Sequence, residues 1–276
     1  MPEGVEVKLS ADLIRPLVVG REVKAAYSTP NSRYGDSKNG SGVLGTCYNS
    51  LGLYAPKPII ELVRVKGKFM YWTFSNGWCM FNTFGMTGQW SPQQGKHPCF
   101  CFEFADDSSI WFNDQRHFGT VQFYDDQKRL QEKLDELGWD PFQMSLDGNL
   151  AWIKQQLART GKGIGEVLMD QTIFCGTGNY IRAEALYLSK MSPFRPANKL
   201  SENEIRQLCQ NIVSVMEESY KYQGATIQTY KTAYGEEGKY SSLFKVYNQK
   251  NDSLGNKIIK QDSGGRTIHW CPTIQA

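Results

Sequence analysis

The feature that most limits the possible folds is a change of hydrophobic period near the middle of the chain. Between Pro58 and Tyr124 apolar and polar residues alternate and aromatic residues are dense, which is typical of β-strands. After Pro141 the apolar residues recur at helical spacing instead. The strand pattern covers the segments 59–65, 69–74, 78–81, 99–104, 109–112 and 121–124. Short antiparallel strands joined by turns predict a β-sandwich in this half.

A helix is predicted ahead of the strands. Apolar residues recur every fourth position and predict a helix from about Glu3 that ends by Pro16 and Gly20. The fold class is therefore α+β. We expect residues 1–140 to form a two-sheet β-sandwich domain with flanking helices.

Residues 141–276 are expected to form a helical second domain. Its predicted helices bury Leu150, Ile153 and Leu157 on one face, and a second stripe follows a Ser201-x-x-Glu204 capping box. The stripe consists of Ile205, Leu208, Cys209, Ile212 and Met216. A β-rich tail is expected at about 240–275, with strands at 243–247 and 266–271.

Composition excludes several classes of protein. With 276 residues, 40% hydrophobic and 21% charged, the chain is typical of a globular protein, and it shows no apolar run of bilayer length. The seven cysteines follow no disulfide-framework spacing, so reduced thiols and an intracellular, non-secreted location are expected. A net charge of +3 permits nucleic-acid binding without indicating it.

The first residues have a structural and a chemical interpretation. Proline suits the first position of a helix and an acid suits its first turn, so Pro2 and Glu3 could simply start a helix. Met1 is normally removed before proline, however, and this leaves a secondary α-amine. Such an amine has a pKa near ~8 and is partly neutral at physiological pH. It could attack a sugar carbon to form an iminium ion, beside a carboxyl group that moves protons.

The segment from Asp170 to Leu186 is the most specific motif. An apolar run is broken at Gly176-Thr177-Gly178, and a helix is predicted to begin at Asn179. The backbone N–H groups at a helix N-terminus can bind phosphate. An ordinary helix hairpin with glycine in its turn is the simpler alternative.

Taken with the Pro2-Glu3 start, this segment resembles the helix–two-turn–helix motif of the formamidopyrimidine-DNA glycosylase and endonuclease VIII family. The matches run in family order to Trp270, and the zincless-finger, endonuclease VIII-like members are the most similar. The resemblance implies a bifunctional DNA glycosylase and AP lyase of base excision repair. Such an enzyme removes oxidised pyrimidines, hydantoins and ring-opened purines through a Schiff base, then cuts the strand by β,δ-elimination.

The resemblance also assigns catalytic roles. Pro2 matches the nucleophile and Glu3 the general acid, while Glu6 matches a supporting acid of the family. Lys68 matches the active-site lysine, which follows a glycine and contacts DNA phosphate and the damaged nucleotide. Lys66, in the same basic turn, is placed among the DNA-binding residues; a solvated basic turn is the simpler account of both lysines.

Three side chains match the family's void-filling residues. Met86 matches an intercalating methionine, and Arg116 and Phe118 match a cation and a ring that contact the base left without a partner. Together they would offset the free-energy cost of extruding a nucleotide from the stack. His117 departs from the basic residue common at its position.

The remaining assignments concern DNA and metal. Gly178, Asn179 and Tyr180, with Arg266 of the tail, are expected to bind DNA. Bacterial members hold zinc with two cysteine pairs in this tail, whereas this tail has only Cys271, so we expect neither zinc nor a cofactor. A metal site at His97-x-Cys99-x-Cys101 is the alternative, although free cysteine is more often simply buried.

The expected partner is damaged DNA, bound as a duplex by a monomer, with no membrane involved. Single-stranded DNA stays open as a substrate. Two other functions also stay open: a non-catalytic protein that binds lesions or abasic sites, and a β-sandwich interaction module that has no preference for DNA. The loop 231–242 is expected to influence which lesion is accepted.

Overall fold

The computed structural model describes residues 2–29, 57–226 and 237–275. These residues form two compact units. Unit 1 comprises Met1–Asp135 and Ala225–Gly238, and unit 2 comprises Glu136–Gly224 and Lys239–Ala276. The division falls a few residues before Pro141, and the short segment 225–238 belongs with the first unit. Half of the predicted lesion loop 231–242, residues 231–236, lies outside the described residues.

The described part of unit 1 contains two four-stranded antiparallel sheets and the helix α1 (Gly4–Val18). One sheet has the order β1-β6-β7-β5, formed by Val23–Ser28, Pro98–Phe104, Ser109–Asp114 and Gly88–Ser91. The other has the order β2-β3-β4-β8, formed by Ile60–Lys66, Phe69–Phe74, Cys79–Thr83 and Thr120–Tyr124. Helix α2 (Gln127–Glu136) follows the last strand. The predicted α+β fold with an N-terminal sandwich is confirmed.

Aromatic side chains from both sheets fill the interior of unit 1. The rings of Trp72 and Trp90 lie 4.9 Å apart, and Trp90 stacks on Phe102 at 6.2 Å. Trp90 is fully buried, and its Nε1–H donates to Oδ1 of Asn82 at 3.0 Å, so its polar atom is satisfied. The dense aromatic alternation in the sequence is therefore the core of the sandwich.

The sequence pattern found all six of its strands in unit 1 but missed β1 and β5. The first contains Ala25 and Ala26, which have little strand preference, and the second is only four residues long and begins with Gly88. Both strands form because they pair with neighbours that are distant in sequence. The observed end of α1, at Val18, lies between Pro16 and Gly20, where the sequence predicted it. The helix includes Pro16, because a proline in the last turn removes a single hydrogen bond.

Unit 2 is mainly helical in its described residues. Its helices are α3 (Leu146–Ala158), α4 (Ile164–Val167), α5 (Asn179–Leu188) and α6 (Glu202–Lys221), and its hairpin is β9 (Ile259–Asp262) with β10 (Thr267–Trp270). The capping box at Ser201 and Glu204 is confirmed, and the two apolar stripes are buried as predicted. None of the described helices is long and apolar enough to cross a membrane.

The predicted strand at 243–247 is wrong. Residues Tyr240–Leu243 form a 3₁₀ turn, and the backbone N–H groups of the next residues point at one carboxylate. Glu184 accepts from Lys245 at 2.9 Å, Val246 at 3.0 Å and Tyr247 at 2.8 Å. In a β-strand, successive backbone N–H groups point in opposite directions. Three successive N–H groups that donate to one side chain are therefore incompatible with a strand. Burial raises the pKa of Glu184, against the lowering effect of these hydrogen bonds.

Candidate functional site

The amino end of unit 1 is buried. Both Pro2 and Glu3 are buried, and Glu3 occupies the N-cap of α1. The backbone N–H of Glu3 donates to Oε2 of Glu6 at 2.7 Å, and Oε1 of Glu6 accepts from the N–H of Ala225 at 2.9 Å. Glu6 therefore joins the first residues to the returning segment 225–238 of the same unit.

The two predicted lysines occupy the β2–β3 turn. Lys66 donates from Nζ to the carbonyl of Leu134 at 2.7 Å, so its ammonium group contacts the end of α2. Lys68 is half-buried directly before β3. The geometry therefore gives Lys66 a structural contact that the sequence did not indicate.

The three predicted void-filling residues lie on two loops that touch. Gly88 and Asp114, which border the loops, pair across β5 and β7. Met86 is half-buried, whereas Phe118 is 50% exposed, and the guanidinium of Arg116 lies 4.8 Å from the centre of the Phe118 ring. An apolar chain, a cation and a ring that are separated in sequence are therefore brought together.

The predicted phosphate-binding turn has the expected geometry. Gly178 is the N-cap of α5 and Asn179 its first residue, so the N-terminus of the helix lies where the motif predicted. Only Gly176 has the positive φ, 93°, that favours glycine; Gly178 is extended at −136°. The side-chain amide of Gln171 closes the turn, because it accepts from Gly176 N–H and donates to the carbonyl of Thr177, both at 3.0 Å.

Asn179 and the arginine of the hairpin are also brought together. The Nδ2 group of Asn179 donates to the carbonyl of Thr267 at 3.1 Å, and Thr267 follows the exposed Arg266. The family resemblance assigned both Asn179 and Arg266 to DNA, from segments more than 80 positions apart. Within unit 2 they are neighbours.

Arg182 holds this arrangement in place, and the sequence analysis missed it. The side chain is fully buried, and Nη1 donates to the carbonyl of Gly165 at 2.8 Å. Nη2 donates to the carbonyls of Thr267 at 3.2 Å and Arg266 at 3.4 Å. The sequence contained one signal, because Arg182 lies between apolar residues of a predicted helix and is therefore expected to be buried. A buried arginine must find hydrogen-bond acceptors.

The assignment of Tyr180 to DNA is wrong for its side chain. Tyr180 is fully buried, and its hydroxyl lies 3.1 Å from Oγ of Ser219. Its ring packs 5.4 Å from that of Phe244. A core tyrosine with a satisfied hydroxyl cannot reach a DNA strand.

The possible metal site at His97-x-Cys99-x-Cys101 contains other interactions. Cys99 and Cys101 are buried strand residues; Sγ of Cys99 lies 3.7 Å from Nδ1 of His117, and burial raises the pKa of Cys101 to about 11. Across residues 2–29, 57–226 and 237–275, no cluster of three histidine, cysteine or acidic side chains could hold a metal.

At the base of the hairpin an aspartate organises the loop. Asp252 accepts from Asn256 Nδ2 at 3.0 Å and from the hydroxyl of Tyr187 at 3.1 Å, and Sγ of Cys271 lies 3.8 Å away. It also accepts from the backbone N–H of Leu254 at 2.9 Å. The sequence analysis missed this residue because it considered only cysteine and histidine in the tail.

Acid should loosen this loop. The pKa of Asp252 is lowered, chiefly by the hydrogen bond from the Asn256 side chain. A carboxyl with a lowered folded pKa stabilises the fold above its unfolded pKa of about 3.9, and this contribution is lost as the pH falls further. We expect the amides of β9 and β10 to be less protected from exchange below about pH 4 than at neutral pH, once the intrinsic pH dependence of exchange is divided out. Asp252→Asn should flatten this pH response, whereas Asp262→Asn, at the exposed end of β9, should leave it intact. Equal protection of the β9 and β10 amides from exchange at neutral pH and below about pH 4 would contradict the prediction.

Comparison with known families covers most of the chain. Residues 1–121 match the sequence model of the formamidopyrimidine-DNA glycosylase N-terminal domain. Residues 137–231 match the model of the H2TH domain of the same enzymes.

Individual proteins are similar over most of their length. The formamidopyrimidine-DNA glycosylase of Lactiplantibacillus plantarum is 32% identical over 225 residues, which is 78% of this chain and 81% of that protein. The Prochlorococcus marinus protein of that name is 28% identical over 99% of this chain and 96% of its own. The crystal structure of MutM (Fpg) from Thermus thermophilus matches with a TM-score of 0.83 and 26% identity, covering 99% of this chain and 98% of that chain.

A Lactococcus lactis Fpg in complex with DNA containing an abasic site matches with a TM-score of 0.84 at 24% identity, and covers 99% of both chains. At this identity the match shows a shared fold. These relatives bear the formamidopyrimidine-DNA glycosylase name, so the closer likeness to endonuclease VIII-like members stays a prediction.

Proposed function

Because this chain belongs to the formamidopyrimidine-DNA glycosylase family, we propose that it excises oxidised bases from DNA and cuts the strand at the resulting site. Oxidised pyrimidines, hydantoins and ring-opened purines are the proposed substrates. The protein acts as a monomer on duplex DNA inside the cell. The observation that carries this proposal is the buried Pro2-Glu3 start, held by Glu6 at the beginning of α1.

The first step is attack by the Pro2 nitrogen on C1′ of the damaged nucleotide. The bond from C1′ to the base breaks, and the base leaves with its electron pair and gains a proton. Glu3 protonates the ring oxygen, so that the sugar opens and an iminium ion forms between Pro2 and C1′. A secondary amine has no second proton to lose, so this ion keeps its positive charge.

The iminium ion then drives strand cutting. Its charge acidifies the proton at C2′, and removal of that proton expels the 3′ phosphate in β-elimination. A second loss of a proton expels the 5′ phosphate in δ-elimination. Hydrolysis of the iminium finally frees Pro2, and Glu6 takes part indirectly by positioning the residues that react.

The other assigned residues hold DNA. Lys68 and Lys66 bind phosphate near the reacting nucleotide, and the amides at Gly178 and Asn179 bind phosphate at the N-terminus of α5. Arg266 adds a charge-assisted contact to the same strand. The adjacency of Asn179 and Thr267 supports a single phosphate clamp in unit 2.

Borohydride trapping on duplexes that each carry one lesion tests the proposal. Borohydride reduces the iminium ion to a stable amine, so the enzyme should become covalently joined to lesion-containing duplex and leave undamaged duplex free. A non-catalytic lesion-binding protein would shift the same duplex in a binding assay without a covalent product or a nick. An interaction module would show neither. Strand nicking across the panel would also rank the lesions.

The phosphate clamp should be visible in the salt dependence of binding. Each neutralised phosphate contributes about −0.9 to the slope of log K against log salt on duplex DNA. Arg266→Ala should therefore weaken binding on all sequences and reduce the slope by about 1. Lys154→Ala is a matched control, because this exposed lysine already pairs with Glu202 at 2.7 Å. An unchanged slope in Arg266→Ala would remove this residue from the clamp.

A further inference from the structure

We propose that Asp114 and Thr87 are positioning residues that join the two void-filling loops into one rigid wedge. The wedge consists of the loop 84–88, which carries Met86, and the loop 114–119, which carries Arg116 and Phe118. This inference rests on the proposed function, because it concerns how a nucleotide is extruded from duplex DNA.

The two residues connect the loops through hydrogen bonds beneath the exposed side chains. Asp114 is fully buried, and its Oδ2 accepts from the N–H of Gly119 at 2.7 Å. Its Oδ1 accepts from the hydroxyl of Thr87 and from the N–H of Arg116, the latter at 3.3 Å. Oγ1 of Thr87 also accepts from the N–H of Arg116 at 2.9 Å. The Asp114 carboxylate thus holds the loop 114–119 closed, and the Thr87 hydroxyl joins that loop to the loop 84–88 through Asp114 and the N–H of Arg116.

The loops also touch through their backbones. Gly85 has a φ of 57°, and a Cβ built on it would lie 2.5 Å from the nitrogen of Gly119 and still closer to the carbonyl carbon of Phe118. No side chain fits into that space. The backbone beside Met86 is therefore pressed against the backbone of Phe118, and a movement of either loop must displace the other.

Rigidity matters because three side chains must fill one gap at the same time. If the loops moved independently, each would have to become ordered when the protein binds duplex DNA. That entropy cost would lower the affinity for the state in which the nucleotide is extruded. The hydrogen bonds to Asp114 order them during folding instead. A lesion in single-stranded DNA has no opposite base and leaves no gap in a duplex, so the wedge contributes nothing there.

The contrast between duplex and single strand gives the test. Thr87→Val keeps the side-chain shape but removes the hydroxyl, and should lower kcat/KM for excision from duplex about 10-fold, while excision of the same lesion from a single strand changes less than about twofold. Thr87→Ser should restore the duplex rate. Asp114→Asn, which puts an N–H₂ group where one oxygen accepts, should show the same selective loss. Fluorescence of 2-aminopurine placed opposite the lesion should report less unstacking in both defective variants.

Ser108→Ala is the matched control. Its hydroxyl donates to Oδ1 of Asp106 at 2.8 Å, which is the same kind of bond in the turn at the other end of β7. This variant should keep the ratio of duplex to single-strand rates of the unmodified protein. Equal losses on both substrates in Thr87→Val, or an unchanged ratio, would overturn the inference. If the unmodified protein excised no base from either substrate, the proposed function itself would fail.

Discussion

With one extra residue in front of Pro2, the protein should lose base excision and strand cutting by on the order of 10³-fold or more. The added peptide bond turns the secondary amine into an amide, whose nitrogen lone pair is delocalised into the carbonyl. An amide nitrogen does not attack a sugar carbon. The measurement is borohydride trapping and nicking by one preparation before and after a protease removes the extra residue, so that only the free amine differs.

Two further measurements make this result specific. The extended protein should keep its affinity for lesion-containing duplex, since the amine makes no phosphate contact. Pro2→Gly should trap less adduct, because the imine of a primary amine loses its proton and with it the permanent charge. An adduct that persists at full strength in the extended protein would move the nucleophile to another amine. Lys68→Ala would then identify or exclude that lysine.

Arg182→Met should destabilise unit 2 by about 3 kcal/mol, because the buried carbonyl of Gly165 and the part-buried carbonyls of Arg266 and Thr267 lose a charged donor. It should also weaken DNA binding by more than about 10-fold, since Arg182 holds the backbone of Arg266 and Thr267 against α5. Denaturant unfolding and DNA titration measure the two effects. Arg159→Met is the matched control, because this exposed arginine donates to Oε1 of Gln156, three residues earlier in the chain, at 3.3 Å.

The two effects can be separated. At low temperature, where the folded fraction of Arg182→Met is restored, DNA binding should still be weaker than in the unmodified protein. Arg182→Lys should recover part of the stability and little of the affinity, because an ammonium group cannot span carbonyls as a planar guanidinium does. Full DNA affinity in folded Arg182→Met would show that the clamp forms without this residue.

Local patterns were sufficient for most elements. The strand β2 and the helices α3 and α6 follow from residue periodicity, because each buries a face that its own sequence spacing defines. The strands β3 and β4 are buried on both faces and were found from their dense apolar and aromatic residues. The elements that were missed or wrongly predicted also have a physical explanation. The strand β1 depends on pairing with β6, far away in sequence, and the segment 243–247 is shaped by the buried carboxylate of Glu184.

The candidate site also divides into residues that the sequence indicated and contacts that only the structure showed. Candidate residues such as Pro2, Glu6 and Asn179 were named from the sequence through the family resemblance. The contacts that hold them were not: the bond from Ala225 to Glu6, and the hydrogen bonds of Asp114 and Arg182 to backbone atoms, depend on the fold.

Residue type and spacing were thus enough to predict the fold class, and the resemblance to a known family supplied the family and the candidate reactive groups. Only the three-dimensional structure showed that Tyr180 belongs to the core, that Asp252 organises the hairpin loop, and which carboxylates and guanidinium groups hold the site. The reason is that a backbone N–H or carbonyl has the same chemistry at every position. Its partner is therefore chosen by proximity after folding, which periodicity along the chain does not encode.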